Sequence, residues 1–213
     1  MKKTIVILAK SIKNGHFCIA GKDLSNFEWI RPVSTEEGGE ITKQQSKLTY
    51  QGAEARPWDC NIFHNVEIDF QRHVPLYFQP ENYVISETPW QQRYKSSPDI
   101  LFSLLDNPKD LWGNNLCKIN RNDIRTPIEA SLYLIYVSDL FLYRNEFGKR
   151  KVSFTYNNVR YENFSCTDPN FDNLINTQKR YDNAILCLSL GELFNEDNCH
   201  YKIVASIFIQ DDQ

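Results

Sequence analysis

Trp29 and Arg31 stand two positions apart in the stretch NFEWIRPVST, and strand alternation sets both on one face with Phe27 and Val33. An aromatic ring beside a guanidinium can stack a base and hold a phosphate or a base edge. The same pattern also suits a packed corner, in which Phe27, Trp29 and Val33 are core and Arg31 reaches a buried carboxylate such as Asp23 or Glu81. Both readings stay open on the sequence. Pro32 lacks an N–H, which places this segment at a sheet edge or a strand end. Lys22, in GKDL (21–24), adds a positive charge where the preceding strand exits. No helix follows it, so the segment is not a phosphate-binding P-loop. Gln79 and Asn82, in QPENY (79–83), offer amides that either read a base edge or satisfy their own turn.

A second group of cations lies downstream. Lys149 and Arg150 belong to the run GKRK (148–151), and Arg144 stands just before it. The run either touches phosphates or forms a solvated turn. In the hairpin that follows, alternation puts Ser153, Thr155, Arg160 and Glu162 on the polar face, which makes Arg160 the best cation of any second binding surface.

Catalytic chemistry finds no support. His64 and His73 have no partners at ligand spacing, and the six cysteines form no CxxC or CxxxC pair. Neither a metal site nor a cofactor is expected. Ser189 lies in SLGE, which lacks the GxSxG elbow of a serine nucleophile. With no HExxH, no Ser-His-Asp order and no paired carboxylate motif, the chain reads as a binding protein rather than an enzyme.

The bulk numbers fit that reading. The 213 residues suit one large domain or two small ones, and 13% aromatic residues can fill a core. The net charge of −3 argues against whole-surface attraction to nucleic acid, so such binding needs a local basic patch. The start, MKKTIVILAK, has an apolar run too short for an export signal or a membrane span. It reads as a buried first strand of a soluble, cytoplasmic protein with reduced thiols, Cys18, Cys166 and Cys187 among its core.

Three segments follow from the turn signals. Residues 1–85 carry four strand-like runs, an Asn14-Gly15 hairpin signal and a polar loop from Gly38-Gly39 through Gly52, with few apolar anchors. Residues 86–130 form a helical or irregular connector, with Ser97 as N-cap, Pro98 at the first helical position and Trp112 planted by a short turn. Residues 131–213 hold a hairpin around Asn157-Asn158, pairing Phe154 with Tyr161 and Tyr156 with Val159. A helix capped by Asp168 and started by Pro169 follows, then closing strands. Two halves of about 80 residues and five strands each match a small Greek-key barrel such as the OB-fold; SH3-like barrels or one large sandwich fit the same pattern. The fold class expected is mainly β with a few helices: two tandem OB-like five-stranded barrels joined by a helical connector.

The motifs CIAGKDL and EWIRPVS (18–34), QPENYVI (79–85), LWGN (111–114), FTYNNVRYENFSCTDP (154–169), LCLSLGE (186–192) and CHYKIVASI (199–207) resemble the dual OB-containing domain family of prokaryotes. The resemblance implies two tandem OB-like barrels, an association with conflict or defence systems, and nucleic-acid binding, with no catalytic residues to carry over. The expected partner is single-stranded DNA or RNA, bound by the barrel faces and the 34–58 loop. The alternatives are a sensor of a nucleotide-like small ligand, with Trp29, Arg31 and residues 79–82 in one pocket, or an adaptor for a partner protein of a defence system. A metal-dependent nuclease is a third reading, which cleavage assays with magnesium or manganese would expose.

Overall fold

The computed structural model describes residues 1–13, 15–50, 56–124 and 128–210. Asn14 and Gly52, marked above as turn and loop residues, lie outside them. The chain divides into two compact units, Met1–Leu104 and Leu105–Gln213. The division falls inside the segment expected to connect the halves.

The first unit contains β1 (Lys2–Lys13), β2 (His16–Asp23), β3 (Trp29–Val33), β4 (Lys47–Thr49), β5 (Trp58–Asp59), β6 (His64–His73), β7 (Asn82–Ile85), β8 (Trp90–Lys95) and α1 (Ile100–Ser103). Five strands close a ring in the order β1-β2-β3-β7-β6 and back to β1. All its pairings are antiparallel except β3 with β7. One parallel pair closing an otherwise antiparallel Greek-key ring is OB-barrel topology. Ile5, Ile7, Ile19, Ile30, Val66, Ile68 and Phe70 fill it. β8 adds to β6, β4 to β8 and β5 to β4, outside the ring. The polar loop after β3 is better anchored than its composition suggests. Ile41 bridges to Phe17 of β2, and Ile41 and Leu48 are fully buried in the core cluster.

The second unit contains β9 (Lys118–Asn120), β10 (Leu132–Arg144), β11 (Arg150–Tyr156), β12 (Val159–Cys166), α2 (Phe171–Thr177), β13 (Arg180–Phe194) and β14 (Cys199–Ile209). The ring repeats: β10-β11-β12-β14-β13 and back to β10, with β12 and β14 parallel. β9 lies outside, on β14. The β11–β12 hairpin has the expected register, Phe154 opposite Tyr161 and Tyr156 opposite Val159. Asn157 and Asn158 both take positive φ, as a two-residue hairpin turn requires. Phe154, Tyr161 and Phe164 meet in ring contacts that fill the barrel.

Both helices start later than expected. α1 is a single turn beginning at Ile100 after Asp99, and Ser97 donates to the Asp99 carboxylate instead of capping. α2 begins at Phe171 after Asn170. The Asp168 carboxylate spans the break between strand and helix, accepting the Asn170 N–H on Oδ1 and the Ile207 N–H on Oδ2, each at 2.6 Å. Burial pushes that carboxyl up from its ordinary range, with the two N–H donors opposing the shift.

Candidate nucleic-acid interface

The first barrel gathers its five sequence candidates in one region and covers them. β3, paired with β2 on one edge and β7 on the other, is buried along its whole length, on both faces. Trp29 therefore packs. Lys22, its partner across the β2–β3 ladder, lies 5.3 Å from the ring centroid and donates to the Leu104 carbonyl at 2.8 Å. Phe27 does not share this face: it precedes the strand with positive φ and is half exposed. Arg31 is 8% exposed, and its backbone N–H donates to the Glu81 carbonyl. Asp23, one of its two expected carboxylate partners, is engaged by Lys3 at 2.8 Å and by Ser25. Gln79 and Asn82 are buried, and the Asn82 amide donates to Gln79 Oε1 at 3.4 Å. Such a buried polar cluster fixes loops to a barrel. Arg31→Ala is therefore expected to cost about 1–2 kcal/mol of stability, read as a lower urea midpoint. An unchanged midpoint would contradict the packed-corner reading.

The second barrel is built differently. A cleft of about 750 Å³ is lined by Asn145, Gly148 and Lys149 of the β10–β11 turn, Arg150 and Lys151 of β11, and Ser165 and Cys166 of β12. Phe194 and Tyr201, which flank the β13–β14 turn, complete it. In an OB barrel, the face of the second and third strands and the loops after the first and fourth strands bind oligonucleotides. These are the elements that form this cleft.

Local sequence explains each part. The Asn145 carboxamide accepts the N–H groups of Phe147 and Lys149, and Gly148 takes positive φ, so the turn closes tightly and projects Lys149. Leu140 and Leu142 point into the barrel, fully buried, so Phe141 and Tyr143 must point out. Tyr143 lies opposite Lys151, and Lys151 opposite Ser165. Directly opposite residues share a face, so these three make one row across β10, β11 and β12. Phe141 stacks on Tyr143 with centroids 5.3 Å apart. Lys151 Nζ is held by the Asn163 carbonyl at 3.1 Å and Ser165 Oγ at 3.2 Å.

On the far wall Phe194 is 46% exposed and meets Tyr201 edge to face at 6.0 Å. The Tyr201 hydroxyl donates to Asp197, which also pairs with Lys118 at 2.8 Å. Hydrogen bonds from Lys118 and then Tyr201 hold the Asp197 carboxyl below its usual range, and the same carboxylate raises the phenol. Tyr201 is thus a neutral ring fixed by its hydroxyl. Burial pushes the Cys166 thiol up to about 12, which leaves no thiolate nucleophile at neutral pH.

Arg144 and Arg150 both reach Asp172 of α2, Arg144 on Oδ1 and Arg150 on Oδ2 at 2.5 Å. Both guanidinium groups lie over the Phe171 ring, 5.9 and 5.7 Å from its centroid. Arg160 is not in the cleft lining. It donates to the Asp139 carbonyl and carboxylate, and Arg180 joins the same carboxylate while covering Phe141.

The cleft therefore joins Lys149 and Arg150 directly, and Arg144 through its bond to the Gly148 carbonyl at 2.7 Å. Sequence reasoning missed Tyr143, Phe194 and Tyr201, and held Lys151 only as the last residue of the run GKRK. For Lys151 the signal was present, because it shares strand parity with Ser153 and Thr155. Alternation alone did not single out the three aromatic residues, since only the register shows which ring of a strand faces out.

Among the described residues no group of three or more His, Cys, Asp or Glu side chains is placed to hold a metal ion, and no helix is long and apolar enough to cross a membrane. A family model described as a dual OB-containing domain matches residues 3–207. No curated protein and no solved structure matches the chain.

Proposed function

Because the chain belongs to the dual OB-containing domain family, we propose that its second barrel binds single-stranded nucleic acid across the cleft between the β10–β11 and β13–β14 turns. OB domains are in general binding modules without catalysis, and oligonucleotides are a common ligand. The observation that carries the reading is the grouping of partly or fully exposed aromatics and lysines, with Lys149, Lys151, Phe194 and Tyr201 lining the cleft and Tyr143 opposite Lys151. Every base has a π-face, so such rings stack bases without regard to sequence, while the lysines follow the phosphates. The acidic whole-chain charge is no obstacle, because such binding needs only a local group of cations, which Lys149, Arg150 and Lys151 supply at this cleft. The setting that the family resemblance implies, a prokaryotic conflict or defence system, belongs to the same proposal, as does a cytoplasmic location.

The test is a titration with labelled single-stranded DNA and RNA at two salt concentrations. Binding should weaken steeply as salt rises, with a slope of about −0.7 per phosphate neutralised. No binding of either strand at low salt overturns the reading.

A further inference from the structure

Resting on that reading, we propose that Arg144 and Arg150 over the Phe171 ring form a second anion subsite of the same cleft, in which the Asp172 carboxylate exchanges with a phosphodiester of the bound strand. The geometry is that of a site for one anion. Two guanidinium groups from adjacent, register-paired positions converge on the two oxygens of a single carboxylate. Arginine forks match phosphate oxygens as well as carboxylate oxygens.

The arginines do not depend on Asp172 for their placement. Arg144 also donates to the Gly148 carbonyl at 2.7 Å, and Arg150 to the Asp168 carbonyl at 3.1 Å. With the ring beneath them, these bonds keep both guanidinium groups aimed when the carboxylate leaves. The group is also open to solvent: the side chains of Arg144, Arg150 and Asp172 are 46%, 32% and 43% exposed. An exposed ion pair gains little in water, so a phosphate arriving with the rest of a strand can replace it. Arg150 lines the cleft itself, which places the exchange beside Lys149 and Lys151. Asp172 remains ionised throughout the ordinary pH range, because the hydrogen bond from Arg150 holds its carboxyl low.

In the wild-type protein the displaced carboxylate stays near the strand and cancels part of the counterion release. Asp172→Asn removes that charge. The variant should bind a labelled oligonucleotide about 5-fold more tightly at 0.1 M salt, and its log-log salt slope should steepen by about 0.7, the release from one further phosphate. In an Arg144→Gln/Arg150→Gln background the same substitution should change neither quantity. Melting temperatures confirm that each variant folds, and Asp172→Ser repeats the measurement with a second uncharged side chain. An unchanged slope in Asp172→Asn, or a gain that persists without the arginines, overturns the subsite. Failure of the wild-type chain to bind any strand overturns the underlying reading instead.

Discussion

Neutralising Lys149 and Lys151 together, as Lys149→Gln/Lys151→Gln, is expected to weaken single-strand binding about 25-fold at 0.1 M salt. Each phosphate contact contributes about 0.7 to the log-log salt slope, so one contact is worth roughly 5-fold between 1 M and 0.1 M salt, and two are worth roughly 25-fold. The slope itself should fall by about 1.4. Neither substitution threatens the fold. Lys149 is exposed on a turn whose shape depends on Asn145 and Gly148, and Lys151 is partly exposed on the outer face of β11. Glutamine, one atom shorter, still carries an uncharged N–H donor towards Asn163 and Ser165. The measurement is fluorescence anisotropy with labelled strands over a salt series, with circular dichroism as the folding control. A loss under about 3-fold with an unchanged slope would remove this cleft from the binding surface. The whole-chain charge of −3 sharpens the experiment, because little non-specific attraction remains to mask the loss.

The two barrels differ in how far their sequences could be read. The Asn157-Asn158 hairpin was legible because two residues that tolerate positive φ fix a two-residue loop, and that loop fixes the register of every pair behind it. The five-strand count per half was legible for the same reason, through turn residues and alternation. The role of the Trp29–Arg31 strand was not. A strand buried on both faces loses the distinction between an inner and an outer face, so alternation could not tell stacking from packing. Helix starts were shifted because Pro169 and Pro98 marked the turn before the helix rather than its first residue. The cleft of the second barrel was half legible. A local charge run, GKRK, is visible in one dimension; the approach of Phe194 and Tyr201 requires β14 to pair beside β12. Strands can place such distant residues side by side only after the ring closes. The Arg144–Arg150–Asp172 group was hidden likewise, since it joins two adjacent strands to a helix over twenty residues away.

Lys202→Met is expected to change how stability depends on pH, and the change reaches the cleft. Lys202 is fully buried on β14, with Nζ donating to the Asn114 carbonyl at 2.7 Å and to Asn114 Oδ1 at 2.6 Å. Burial of the ammonium lowers its pKa to about 8, with Asp110 and Cys117 opposing the shift. The unfolded chain therefore holds this proton up to about 10.5, while the folded chain releases it near 8. Between those values the unfolded state binds more protons, so this group makes the fold more stable as pH rises. Its contribution is complete above about 10.5 and is lost as pH falls towards 8. Between pH 8 and 9.5 the gain is roughly 2 kcal/mol, at about 1.4 kcal/mol per pH unit. Tyr156, Tyr161, Cys60 and Cys166 titrate with the opposite sign at high pH, because burial raises them. The quantity to measure is therefore the difference in urea unfolding free energy between wild type and Lys202→Met, in which those groups cancel. That difference should move towards the wild type by roughly 2 kcal/mol over this interval. A difference flat in pH would show that the amine does not titrate in the fold. The cleft follows from the same contact. The Lys202 side chain pins Asn114, while its backbone N–H, which the substitution keeps, donates to the Cys117 carbonyl; the side chain thus helps to fix the segment that presents Lys118 to Asp197 and thereby holds the Tyr201 ring. Lys202→Met should accordingly weaken strand binding without changing the salt slope, because it loosens a stacking wall and leaves Lys149 and Lys151 untouched.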